Sequence, residues 1–170
     1  MPVAYRSYNY SQIDVSGATI MPGLVDAHMH ISFGECQSEE ELSIYTPAEY
    51  RAIRAAVDAE KVLLRGITSS CDPGGPNQLG VAVRDARDAG LIQGPRMAAA
   101  GRQITSQQGI GDNFPTWIGV PPSSMGVMVR NDGELIQEIR DQVTDAAVSA
   151  ASLSLLSDAV VEGHRLSHIH

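Results

Sequence analysis

The chain has 170 residues and a formal net charge of −8, with 12 basic against 20 acidic side chains. That length is enough for one domain with a buried core, and the absence of a basic stripe excludes nucleic acid as a partner. No apolar stretch is long enough to span a membrane, the N-terminus lacks the apolar core of a secretion signal, and Cys36 and Cys71 read as free thiols, so a cytoplasmic protein is expected.

Residues 12–16 and 18–21 read as short strands around Gly17, and Pro22 with Gly23 signals a turn. Residues 24–31 form a mostly apolar run, which predicts a buried strand. His28 and His30 sit at its end. Residues two apart in a strand face the same side, so the two imidazoles can converge on one metal ion, with Asp26 on the same face.

A helix is predicted over residues 47–65. Thr46 is its expected N-cap, Pro47 suits the first helical position and Glu49 closes a capping box. Tyr50, Ile53, Val57 and Leu64 mark the expected inner stripe, with Ala56 and Leu63 beside it, and Gly66 fits the left-handed stop. Residues 67–71 then read as a strand, closed by Asp72, Pro73, Gly74, Gly75 and Pro76. Residues 78–89 repeat the helix, Gly90 ends it, and Pro95 leads into a strand over 96–100. Residues 101–128 are irregular, and loops of that length usually carry function or disorder. Asn131 and Glu134 open a last helix, expected to turn Leu135, Ile136, Ile139 and Val143 inward. From residue 144 Ala, Ser, Val and Leu dominate, and the strand expected after that helix is not evident.

Strands alternating with helices imply parallel pairing with right-handed crossovers. Either an open doubly wound sheet or the first part of a (β/α)8 barrel satisfies that pattern, and periodicity does not choose between them.

Four ordered segments do. Residues 13–30, with Pro22, Gly23, Asp26, His28 and His30, resemble the passage of the amidohydrolase superfamily from its small β-domain into the first barrel strand. Residues 65–75 and 94–104 resemble the second and third strands with their following loops, and residues 109–112 echo the loop after the third. The imidazolonepropionase-like and prolidase-like members are the nearest in pattern.

The resemblance implies an α/β fold: a partial (β/α)8 TIM barrel of three to four β/α units, preceded by a remnant of a small β-domain. Residues 1–21 would be that remnant, 22–143 the barrel part and 144–170 an atypical tail, helical or disordered. It implies hydrolysis of a carbon–nitrogen bond in an amide, cyclic amide or dipeptide by metal-activated water, with His28 and His30 as ligands of a divalent metal, zinc first. Members also carry a lysine after the fourth strand, histidines after the fifth and sixth and an aspartate after the eighth. The only lysine here, Lys61, falls in the first barrel helix, and a whole barrel takes about 250 residues, so the chain is expected to be a truncated piece without its general acid/base.

Asp26 is expected either to orient a histidine from behind or to bond backbone at the strand end. Asp72 and Arg102 follow the second and third strands, where a barrel's catalytic face lies, and are candidate substrate-binding residues. For Asp72 an Asx turn is the stronger reading, while Arg102 suits either a substrate carboxylate or a salt bridge. Ile110 stands where relatives often have a histidine, which implies a lost substrate contact. His164, His168 and His170 read as a chain end rather than a second metal cluster.

The competing reading is a catalytically inactive chain that acts by self-association, as a homo-oligomer, or by binding a partner. An open ligand-binding domain is weaker, because Gly74, Gly75 and Pro76 make a poor phosphate loop.

Overall fold

A computed structural model describes residues 13–109, 111–124 and 126–145. Three parallel strands, β1 (Leu24–Asp26), β2 (Ile67–Asp72) and β3 (Arg96–Ala99), lie in the order β1-β2-β3. Helix α1 (Ala48–Leu64) connects the first pair and α2 (Leu79–Asp88) the second. The two helices pack on each other. Successive crossovers of one hand therefore lay both on the same face of the sheet. The fold is mixed α/β with parallel strands, as expected.

The register carries the strand ends to one level. Asp26 pairs with Ser70 and Asp72 with Ala99, so the chain leaves β1, β2 and β3 on the same side. Beyond the strands, the Met29 amide still donates to the Cys71 carbonyl and the Gly75 amide to the Gly101 carbonyl. The loops that carry the histidines, the Gly-Pro stretch and Arg102 are thereby stitched side by side.

Several expected elements differ. Residues 13–21 form no strand. Ser16 turns back on Asp14, and the Ala18 amide closes a turn on the Val15 carbonyl around Gly17. A short strand holds only against a partner, and none is present there among the described residues. β1 stops at Asp26 rather than residue 31, and a 3-10 turn, Ile31–Phe33, follows. Residues 101–128 contain a parallel pair, β4 (Gln103–Thr105) with β5 (Gly126–Met128), that their composition concealed.

Helix α1 buries the opposite face from the one expected. Arg51, Ala55, Asp58 and Ala59 are buried, whereas Tyr50, Ile53, Val57 and Leu64 are exposed. The reason is closeness. Ala55 and Ala59 form a core with Ile31 and Val83, and a Cβ on Gly94 would lie 3.0 Å from that of Ala59. Only small residues fit such an approach. Pro47, not Thr46, is the N-cap, and no side chain caps that end. Thr46 is instead buried where a π turn, Glu41–Tyr45, runs into the helix. The stop is as expected, with Gly66 at φ +89°.

Helix α3 (Asp132–Thr144) begins on the expected cap, the Asn131 side chain accepting from the Glu134 amide at 3.0 Å. Of its expected inner residues, Ile136 and Val143 are exposed and Gln142 is buried instead. The buried amide of Gln142 donates to the Arg102 carbonyl at 2.7 Å, which ties α3 to the start of β4. Among the described residues no helix is long and apolar enough to cross a membrane. Of the tail expected over 144–170, Thr144 closes α3, and residues 146–170, with His164, His168 and His170, lie outside the described residues.

Candidate metal centre

The strand ending at Asp26 places His28 and His30 beyond it, so strand alternation is not what brings them together. A turn does. Asp26 Oδ1 accepts the His28 amide at 3.1 Å, which engages that carboxylate with backbone rather than with an imidazole. The chain then curls into the Ile31–Phe33 turn. The His28 and His30 rings meet edge to face, their centroids 5.1 Å apart and their planes at 80°.

His30 is the better held of the two. Its Nδ1 lies 2.5 Å from the Gly74 carbonyl. A carbonyl has no proton to give, so Nδ1 carries the hydrogen and Nε2 keeps its lone pair. Phe33 stacks on the ring at 4.5 Å with planes 8° apart. Burial lowers the His30 pKa, against a rise from the Gly74 contact, which favours the neutral ring a metal requires. His28 is exposed at the surface of the loop.

Asp72 is wholly buried, and its Oδ1 accepts the Gly74 amide at 3.1 Å. This is an Asx turn, and it offers no surface to a substrate. Burial pushes its carboxyl up to about 7, partly offset by the Gly74 and Ile31 amides. Its Oδ1 is 3.9 Å from His30 Nδ1, while Oδ2 is buried with no hydrogen-bond partner.

Arg102 bridges to Gly75 and donates from Nη2 to the Gly126 carbonyl at 2.7 Å. Its Nε is buried without a partner, and no carboxylate lies within ion-pair distance of it among the described residues. Arg102 lines an open cavity of 530 Å³ together with Asp112, Val127, Met128 and Arg130. Arg102 and the histidine loop are thus joined through Gly74 and Gly75.

Two imidazoles fit half of a metal site. The His30 Nε2 and the exposed His28 ring, on imidazoles whose centroids are 5.1 Å apart, are donors of the kind that zinc and similar ions take. Among the described residues no group of three His, Cys, Asp or Glu side chains is placed to hold an ion. The pattern reading overlooked Phe33 and the Gly74 carbonyl. The glycines after Asp72 were the available signal for the second.

The sequence profile of the amidohydrolase family matches residues 19–160. The chain belongs to the amidohydrolase family. Similar solved structures include a prolidase crystallised with N-methylphosphonate-L-proline, 26% identical, with a TM-score of 0.67 over 86% of this chain and 36% of that one. A Xaa-Pro dipeptidase with methionine in its active site is 26% identical, with a TM-score of 0.61 over 74% of this chain and 32% of its own. The ochratoxinase of A. niger, 24% identical with a TM-score of 0.63 over 75% of this chain and 32% of its own, shares the fold. The chain spans about a third of the length of these structures. No curated protein sequence matches it.

Proposed function

We propose that the chain is the metal-binding sector of a cytoplasmic hydrolase that cleaves carbon–nitrogen bonds in small amides, cyclic amides or dipeptides. The reading rests on one observation, the His30 ring held through Nδ1 with the His28 ring edge to face at 5.1 Å. The sequential order of β1 to β3, with both helices on one face, supports a barrel sector of residues 22–143. Residues 1–21 would be a β-domain remnant and 144–170 a separate tail. Prolidase and Xaa-Pro dipeptidase neighbours support a dipeptide as substrate.

His28 and His30 would hold the divalent metal, with zinc our choice. When bound, such an ion supplies a water of lowered pKa and polarises the scissile carbonyl. Arg102 would take a substrate carboxylate through its planar fork, since it lines the 530 Å³ cavity. The remaining ligands and the general acid/base would come from outside the described residues.

The test is metal analysis with a hydrolysis panel. Protein purified with zinc present, then dialysed, is expected to retain near-stoichiometric metal. Less than about a tenth of an equivalent of metal, with no turnover of dipeptides or N-acyl amino acids, would end the enzyme reading.

Self-association is favoured by a separate observation. The outer edge of β1 is unpaired among the described residues, with Leu24 and Val25 exposed, and Tyr50, Ile53, Val57 and Leu64 expose an apolar stripe on α1. Large apolar surfaces and open edges promote association. Light scattering is expected to give a mass above the monomer, and Ile53→Glu with Val57→Lys to shift it down. A wild-type monomer at all concentrations would contradict this.

A further inference from the structure

We propose that Asp72 is the positioning residue of the histidine pair: it holds the Gly74 amide, which aims the Gly74 carbonyl at His30 Nδ1 and leaves Nε2 as the metal-facing nitrogen. The inference rests on the metal-centre reading for the use of that nitrogen. The tautomer itself is a property of the metal-free protein.

Each link is geometric. Asp72 Oδ1 takes the Gly74 amide at 3.1 Å, and the Gly74 carbonyl lies 2.5 Å from His30 Nδ1. Between these contacts Gly74 adopts φ +145°, a conformation that favours glycine, and a Cβ there would meet the Gln103 backbone at 3.3 Å. The carbonyl direction is therefore set by a residue that no larger side chain replaces cheaply.

The carboxylate's own place is cleared from the other side. A Cβ on Gly80, in the first turn of α2, would lie 2.5 Å from Asp72 Oδ2. Glycine at that point lets the helix approach while the carboxylate stays behind His30. Asp26, the acid nearer to the histidines in sequence, is engaged with the His28 amide instead. Phe33 stacked on the ring limits its rotation, so the Gly74 contact decides which nitrogen is presented. Backbone carbonyls behind a ligating histidine commonly fix its tautomer in this way.

Long-range proton–nitrogen NMR on the metal-free, nitrogen-15-labelled full chain reads the tautomer directly. His30 is expected to carry its proton on Nδ1. Asp72→Ala is expected to depopulate that form and to weaken Co²⁺ affinity by about 10–100-fold. Asp72→Asn, whose amide oxygen can still accept from Gly74, is expected to retain both. If Asp72→Ala does not fold, Gly80→Ala displaces the carboxylate without removing it and is expected to shift the tautomer in the same direction. A wild-type His30 protonated on Nε2 overturns the inference. So does a folded Asp72→Ala, or in its place Gly80→Ala, with unchanged tautomer and Co²⁺ affinity. Wild-type protein that keeps the Nδ1 proton, loses it in the variant, and binds no Co²⁺ counts against the metal centre and for the positioning.

Discussion

Replacing His28 or His30 by alanine is expected to weaken divalent-metal binding by more than about 100-fold, beyond the usual effect of changing a residue that only supports a ligand. The two variants should differ in everything else. His28 is exposed, so its loss is expected to leave folding stability within about 0.5 kcal/mol of the parent. His30 also holds the Gly74 carbonyl and stacks on Phe33, so its removal frees a buried acceptor and opens space. A stability loss of about 1–2 kcal/mol should accompany it. Titration with Zn²⁺ and urea denaturation separate the two effects. Metal binding as strong as the parent's in both variants would rule the pair out as ligands.

A control comes from the ring beneath. Phe33→Leu keeps the imidazole and its Gly74 contact but removes the stack, so most of the affinity should survive. Were Phe33→Leu to abolish binding while His28→Ala did not, the ion would be held by a different geometry from the one proposed.

The sequence made the strand–helix order legible because its punctuation is local. Gly66 and Gly90 both adopt positive φ at the helix ends where they were expected, and the Asn131 cap engages Glu134. What it concealed depends on distances between segments. In α1 the large apolar residues suggest one inner face, yet the apolar contact with α2 and the Ile31–Phe33 turn is made through Ala55 and Ala59. The three-residue strands β4 and β5 have no period long enough to read. At the candidate site, the two histidines were visible from their spacing. Their environment was not, since the Gly74 carbonyl lies 44 residues from His30 and its trace in the sequence is just the glycines after Asp72.

Among the described residues Arg51 is the largest buried one that periodicity passed over, and Arg51→Ala is expected to cost about 3 kcal/mol in urea denaturation. Its side chain is wholly buried. Nη1 donates to the Leu42 carbonyl at 2.5 Å and, with Nη2, to the Ser123 carbonyl at 3.1 Å. The Ser123 hydroxyl in turn donates to the Ser43 carbonyl. One guanidinium thus ties the π turn before α1 to residues 121–124. Alanine would take this donor from the buried Leu42 carbonyl and the half-buried Ser123 carbonyl and leave a hole the size of the lost side chain, two of the few routes to a large effect. The opposing gain is relief of a buried cation with no carboxylate partner among the described residues, and burial already lowers the Arg51 pKa. Arg51→Met isolates that gain, because it fills the volume without the charge. It should be less destabilised than alanine, yet below the parent if the two carbonyls matter more than desolvation. Limited proteolysis adds a local measure, with cleavage within residues 111–124 rising in both variants before global unfolding does. A methionine variant as stable and as protease-resistant as the parent would mean that the guanidinium only fills space, and that residues 121–124 are held by Ser123 alone.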